Sequence, residues 1–269
     1  MIIDFHTHVF PDKIANQTVC ALEKNGGTKA YSDGTVDGLL SALDEAGADI
    51  SVNLPVLTKA SQFDSILSFA SALNQRTYQG PKIISFAGVH PLDMQVAEHL
   101  EAVRAAGIPG IKLHPDYQHT FFDDDSYVRI IAEAKRLDLI VVTHAGMDGA
   151  FRHEEIKCTP TRVLRLLDKV GGYSKLVLAH LGGNELTRDV IDNLAGEDVY
   201  FDTAYNLGEP TRAEFFELVS KHGASKMLFA TDSPWRNIKR EVERLVSLGL
   251  SDNELSMILS GNAKTLLEI

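Results

Sequence analysis

Near the N-terminus a short apolar run, Met1-Ile2-Ile3, leads into Asp4-Phe5-His6-Thr7-His8. If the run is a strand, its side chains alternate between two faces, so His6 and His8 point the same way. Two imidazoles on one side of a strand end can grip one metal ion, and imidazole suits Zn, Fe, Ni and similar cations. Taken alone, such a pair is more simply read as two exposed loop histidines. The arrangement recurs, however. Apolar runs end in Gly110-Ile111-Lys112-Leu113-His114-Pro115, in Val141-Val142-Thr143-His144, in Leu176-Val177-Leu178-Ala179-His180 and in Leu228-Phe229-Ala230-Thr231-Asp232-Ser233-Pro234. Each places a metal-ligand or titratable type where a strand stops, a pattern that core packing does not require. The chemistry this points to is a divalent cation with an open position, lowering the pKa of bound water, beside a carboxylate that accepts a proton.

The elements that must position these residues are legible as an alternation. Strands are expected near Ile2–Phe5, Ile50–Leu54, Ile83–Val89, Gly110–His114, Leu139–Thr143, Lys175–Ala179, Val199–Asp202 and Met227–Thr231. Several are apolar on both faces, as strands of a covered parallel sheet are. Between them, Val36–Ala46 and Asp125–Arg136 carry apolar residues at helical spacing, and Thr161–Leu167 and Thr211–Lys221 each follow a proline that marks a helix start. The run Asp123-Asp124-Asp125 reads as a solvated helix start. Eight strands alternating with helices predict an α/β fold, a (β/α)8 TIM barrel forming one domain over residues 1–269. In such a barrel all the strand ends converge on one rim. Two connections at that rim look long, Pro11–Thr35 and Ala145–Thr159.

The bulk numbers exclude other classes. Lys+Arg 26 against Asp+Glu 37 gives a net charge of −11. That acidity argues against nucleic acid and against anionic membrane as partners, and leaves a small-molecule substrate. No apolar run approaches the roughly 20 residues of a membrane span, and the N-terminus lacks the basic region of a signal peptide. A cytoplasmic location is expected. Cys20 and Cys158 read as ordinary thiols. A homodimer is the default expectation for assembly.

With these motifs in this order, the chain resembles the amidohydrolase superfamily, in particular the branch called amidohydrolase 2, or predicted TIM-barrel metal-dependent hydrolases. The resemblance rests on Asp4–His8, Gly110–Pro115, Thr143-His144-Ala145-Gly146, Ala179-His180-Leu181-Gly182-Gly183, Thr231–Pro234 and Gly261–Leu267, and spans the whole chain. It implies that His6 and His8 are metal ligands from the first strand and His144 from the fifth. His180 would bind a second metal or contact substrate or water. Asp232 would bind the metal and take the proton of the attacking water. It implies one or two divalent ions, with zinc first in line. Lys112 has two readings: carboxylated and bridging two metals, or a charge partner of an anionic substrate. An unmodified ammonium cannot ligate a cation.

The leading expectation is therefore a hydrolase acting on an amide, ester, lactone or related carbonyl. The alternative within the same branch is a non-oxidative decarboxylase of an aromatic or unsaturated carboxylate. A phosphoesterase that also opens with His-x-His ranks below both, and a metal-binding barrel without catalysis ranks last. His90, His114 and Trp235 are candidate substrate contacts, Asp4 is a candidate carboxylate behind the metal-binding histidines, and His99, His119 and His222 read as surface residues.

Overall fold

In the computed structural model, which describes residues 1–269, the chain lays down parallel strands in sequence order. Strand β1 (Ile3–Thr7) pairs with β2 (Ile50–Asn53), and β2 with β3 (Lys82–Ser85). The third expected strand is split at Phe86 into β3 and β4 (Ala87–Gly88), and Phe86 N still donates to Asn53 O at 2.9 Å. From β4 the pairing runs through β5 (Gly110–Leu113), β6 (Ile140–Thr143), β7 (Leu176–Leu178), β8 (Tyr200–Asp202) and β9 (Met227–Leu228). Hydrogen bonds from last to first close the ring: Phe5 N to Phe229 O (2.9 Å), Asp232 N to His6 O (2.8 Å) and His8 N to Ser233 O (2.7 Å). The result is a single-domain TIM barrel.

The helices start where the side chains provide caps. Thr35 accepts from Gly38 N ahead of α2 (Val36–Ala46), and Asp124 accepts from Ser126 N ahead of α5 (Asp125–Arg136). The acidic run is thus a helix start, as its charge suggests. Thr159 caps α6 (Pro160–Val170), whose proline lies in the first turn. The connection expected to be long after the first strand instead contains a helix, α1 (Asp12–Gly26). Helices α3 (Phe63–Gln75), α4 (Val96–Ala105), α7 (Thr187–Asp189), α8 (Arg212–His222), α9 (Ile238–Ser247), α10 (Asp252–Ser256) and α11 (Asn262–Leu267) complete the chain. No helix is long and apolar enough to cross a membrane.

Two of the three apolar clusters position the site. The larger joins strand residues such as Ile111, Leu113 and Val141 to helix residues such as Leu100, Tyr127, Ile130 and Leu166. The smaller takes Ile3, Phe5, Val52, Ile84, Val142, Val177 and Leu228 from strand after strand, with Leu266 and Leu267 of α11, and fills the barrel. Because Ile111 and Leu113 face the helices, Lys112 between them faces the interior. At 1% exposure it is among the largest fully buried side chains. The register of β1 against β2 shifts between Asp4 and Thr7, the part of the strand that carries His6.

Candidate metal and catalytic site

His6, His8 and Asp232 meet at the rim where the last strand closes on the first. His8 Nε2 lies 3.0 Å and His6 Nε2 3.5 Å from the same Asp232 oxygen. Other groups fix both rings. His6 Nδ1 donates to Asp202 Oδ2 (2.8 Å), and His8 Nδ1 to the Leu54 carbonyl (2.8 Å). With Nδ1 of each ring engaged elsewhere, Nε2 is the nitrogen that each turns toward the carboxylate, the orientation a shared cation would need. One ligand atom from each of these three residues falls within 4.8 Å of the others. The donor set and its orientation fit a divalent cation.

Lys112 reaches this group from the barrel interior, its Nζ donating to His6 Nε2 at 3.1 Å. Burial lowers its pKa to about 8. Burial, reinforced by the Lys112 charge, holds His6 well below the ordinary histidine value. Burial pushes the Asp232 carboxyl up, but His6 and His8 outweigh it and hold it at about 2. Asp232 and His180 both adopt left-handed backbone, at φ 67° and 62°. Such residues cluster at functional sites, and Asp and His tolerate the conformation better than most.

His180 links this group to a second one. Its Nδ1 donates to the Ala204 carbonyl (2.9 Å), which leaves Nε2 to accept from His144 Nδ1 at 3.0 Å. The His180 ring lies 5.4 Å from that of His6. His144 Nε2 lies 3.8 Å from Asp116 Oδ2. The His144 ring stacks on His114 (4.3 Å, 9°), and His114 Nε2 lies 3.4 Å from Asp148 Oδ2. His6, His8, Lys112 and Asp232 thus form one group, with His114 and His144 in a neighbouring one.

Other sequence candidates fall outside both. His90 is buried, but its Nδ1 accepts from Leu92 N within its own loop (3.2 Å). Trp235 is half-buried, and its N–H donates to Asp232 O (2.8 Å). Asp4 accepts from His6 N (3.2 Å), Thr231 N (3.0 Å) and Thr231 Oγ1 (2.5 Å), so it joins β1 to the segment after β9 and touches no imidazole. His222 is a correction. Read from sequence as a surface residue, it is buried and stacked on Phe201 (3.7 Å, 5°), because α8 lays its last turn against β8. Sequence reading missed Asp202, Asp116 and Asp148. Asp202 ends a strand like the residues that were found, and that position was its one available signal.

The family model described as Amidohydrolase matches residues 3–269. The chain belongs to the amidohydrolase 2 family. No curated protein sequence matches this amidohydrolase. Among solved structures it resembles 5-carboxyvanillate decarboxylase from Sphingomonas paucimobilis at 16% identity, covering 100% of this chain and 99% of that one, with a TM-score of 0.70. It resembles 2,6-dihydroxybenzoate decarboxylase from Rhizobium at 16% identity, with 99% and 98% covered and a TM-score of 0.67. A dihydroxybenzoic acid decarboxylase from Polaromonas sp. JS666, which carries manganese and the inhibitor 2-nitroresorcinol, matches at 17% identity, with 99% and 96% covered and a TM-score of 0.70. At these identities the likeness establishes the barrel for this amidohydrolase.

Proposed function

We propose that this amidohydrolase is a metal-dependent, non-oxidative decarboxylase of an aromatic or unsaturated carboxylate. The observation that carries the reading is the placement of Lys112, an ammonium at 1% exposure whose Nζ lies 3.1 Å from His6 Nε2. A buried positive charge beside the metal-ligand group complements an anionic substrate, whereas a neutral amide or ester brings no charge for it to meet. The barrel-wide likeness to aromatic-acid decarboxylases supports the same choice.

A divalent cation at His6, His8 and Asp232, manganese or zinc, would supply positive charge that stabilises charge developing on substrate oxygens. Lys112 holds the substrate carboxylate. The bond between carbon and carboxyl group breaks, carbon dioxide leaves, and the carbon takes a proton in its place. Asp232, adjacent to both histidines, moves that proton. The experiment is carbon dioxide release from a panel of hydroxy-aromatic acids by the manganese-loaded protein. Release from at least one member, lost in Lys112→Met with metal content retained, is the expected result.

Hydrolysis is the second reading, and one observation favours it. Asp232 is held ionised, with a pKa of about 2, which suits a carboxylate that accepts a proton from water. Turnover of amides, esters or lactones with no carbon dioxide release across the acid panel would overturn the decarboxylase proposal.

A further inference from the structure

We infer that Arg236 is a specificity-determining residue that binds a second carboxylate of the substrate while Lys112 holds the first, so that the preferred acid is a dicarboxylate. The inference rests on the reading of the substrate as an aromatic or unsaturated carboxylate. A half-buried guanidinium normally meets a carboxylate, because its charge is otherwise poorly solvated. Two arginines are half-buried, Arg162 and Arg236. Arg162 is answered by Asp123 at 2.7 Å and by Glu155 at 2.7 Å. Arg236 has no carboxylate oxygen within 4.0 Å. Its guanidinium carbon instead lies 3.5 Å from the centroid of the Tyr205 ring, and its Nε donates to the Tyr205 carbonyl at 3.3 Å. The stacked face and the bound Nε fix the plane of the group and leave its two terminal nitrogens without an acceptor.

The backbone ties this arginine to the metal-ligand group. Arg236 follows Trp235, whose N–H donates to Asp232 O at 2.8 Å. Its platform, Tyr205, follows Ala204, whose carbonyl accepts from His180 Nδ1, and Tyr205 N donates to Thr231 O at 3.2 Å. Asn206 Nδ2 donates to the His180 carbonyl at 3.2 Å. Tyr205, Asn206 and Arg236, with Asn184, Glu209 and Arg244, line a cavity of about 280 Å³ where the segments after β7, β8 and β9 come together.

The charges around the cavity select the kind of anion. Glu185 is tied to Arg152 at 2.5 Å, and Arg244 lies 3.7 Å from the buried Glu241, so these four answer one another. Glu209 remains, and burial pushes its carboxyl above the ordinary value. A carboxylate is planar, carries one negative charge and can take both terminal nitrogens of Arg236 through two parallel bonds. A phosphate dianion would bring a second negative charge toward Glu209.

The test measures, by calorimetry on the full-length manganese-loaded protein, affinities for matched acids: benzoate against isophthalate and terephthalate, and cinnamate against para-carboxycinnamate. At least one diacid is expected to bind about tenfold or more tightly than its monoacid, and that ratio should fall to about one in Arg236→Gln. If Arg236→Gln misfolds by circular dichroism, Arg236→Lys serves: it keeps the charge but loses the planar fork, and the ratio should drop several-fold. A parent protein that binds no diacid more tightly than its monoacid overturns the inference, and so does a ratio left unchanged in whichever variant folds. Carbon dioxide release from the same acids separates this result from the proposed reaction. A diacid preference that depends on Arg236, with no release from any acid, supports the inference and removes only the decarboxylation. Release from monoacids without any diacid preference keeps the decarboxylation and overturns the inference.

Discussion

Asp232 stands on left-handed backbone with its carboxylate between two imidazoles, and it is the residue on which both candidate reactions converge. Asp232→Asn keeps the size and the backbone preference but removes proton exchange. Turnover is expected to fall by roughly 10² to 10⁴, with the far-ultraviolet spectrum unchanged; a variant within a few-fold of the parent would remove Asp232 from proton transfer. Asp202 acts one step back. It accepts from His6 Nδ1 and, through its other oxygen, from the backbone N–H groups of His180 and Ala204. Asp202→Asn frees the His6 ring while His8 stays fixed by the Leu54 carbonyl. The His6–His8–Asp232 group should lose about 10- to 100-fold in metal affinity, measured by competition with a chelating dye. The strand-end residues could be read from the sequence because each one closes a visibly apolar run. Asp116 and Asp148 could not, because they sit in polar loops where a carboxylate is unremarkable until the fold brings it against an imidazole.

At the scale of elements, the helices that could be read were those whose ends are chemically punctuated. Val36–Ala46 and Asp125–Arg136 match their expected bounds, with Thr35 and Asp124 as caps. The Pro11–Thr35 connection shows Pro11, Gly26, Gly27 and Gly34, which suggest turns, yet it holds α1, with Gly27, at φ 63°, as the C-terminal cap. The end of α8 was misjudged for another reason. His222 looks polar in sequence, yet its ring packs flat on Phe201, and its Nδ1 accepts from Gly196 N at 3.2 Å. Burial holds its pKa at about 4. The unfolded chain takes up this proton near the ordinary value of about 6.5. As pH falls from there toward 4, the unfolded state binds a proton that the folded state refuses, and stability is lost. The loss should be on the order of 2 kcal/mol. Chemical denaturation of the parent and His222→Phe at pH 7 and pH 4.5 checks this. The variant should lose less stability between the two, and equal losses would count against the assignment.

At the scale of the molecule, barrel closure was legible from the count of strands, but the way the ring is sealed was not. The seal includes Asp4, a buried carboxylate at 0% exposure that accepts two hydrogen bonds from Thr231, after the last strand, and one from His6 N in its own strand. Its removal leaves the two backbone donors and the Thr231 hydroxyl without this partner. At about 1 kcal/mol per lost bond, Asp4→Ala should cost the barrel on the order of 3 kcal/mol, read as a lower urea midpoint with unchanged slope. A shift too small to resolve would mean that the seam is held by backbone pairing alone.

The same seam sets a timetable. His6 and His8 leave the ribosome more than 220 positions ahead of Asp232, and the three meet only when the last strand docks on the first. A nascent chain therefore cannot complete its His6–His8–Asp232 trio until the last strand has been synthesised, so capture of an ion there doubles as a report that the barrel has shut.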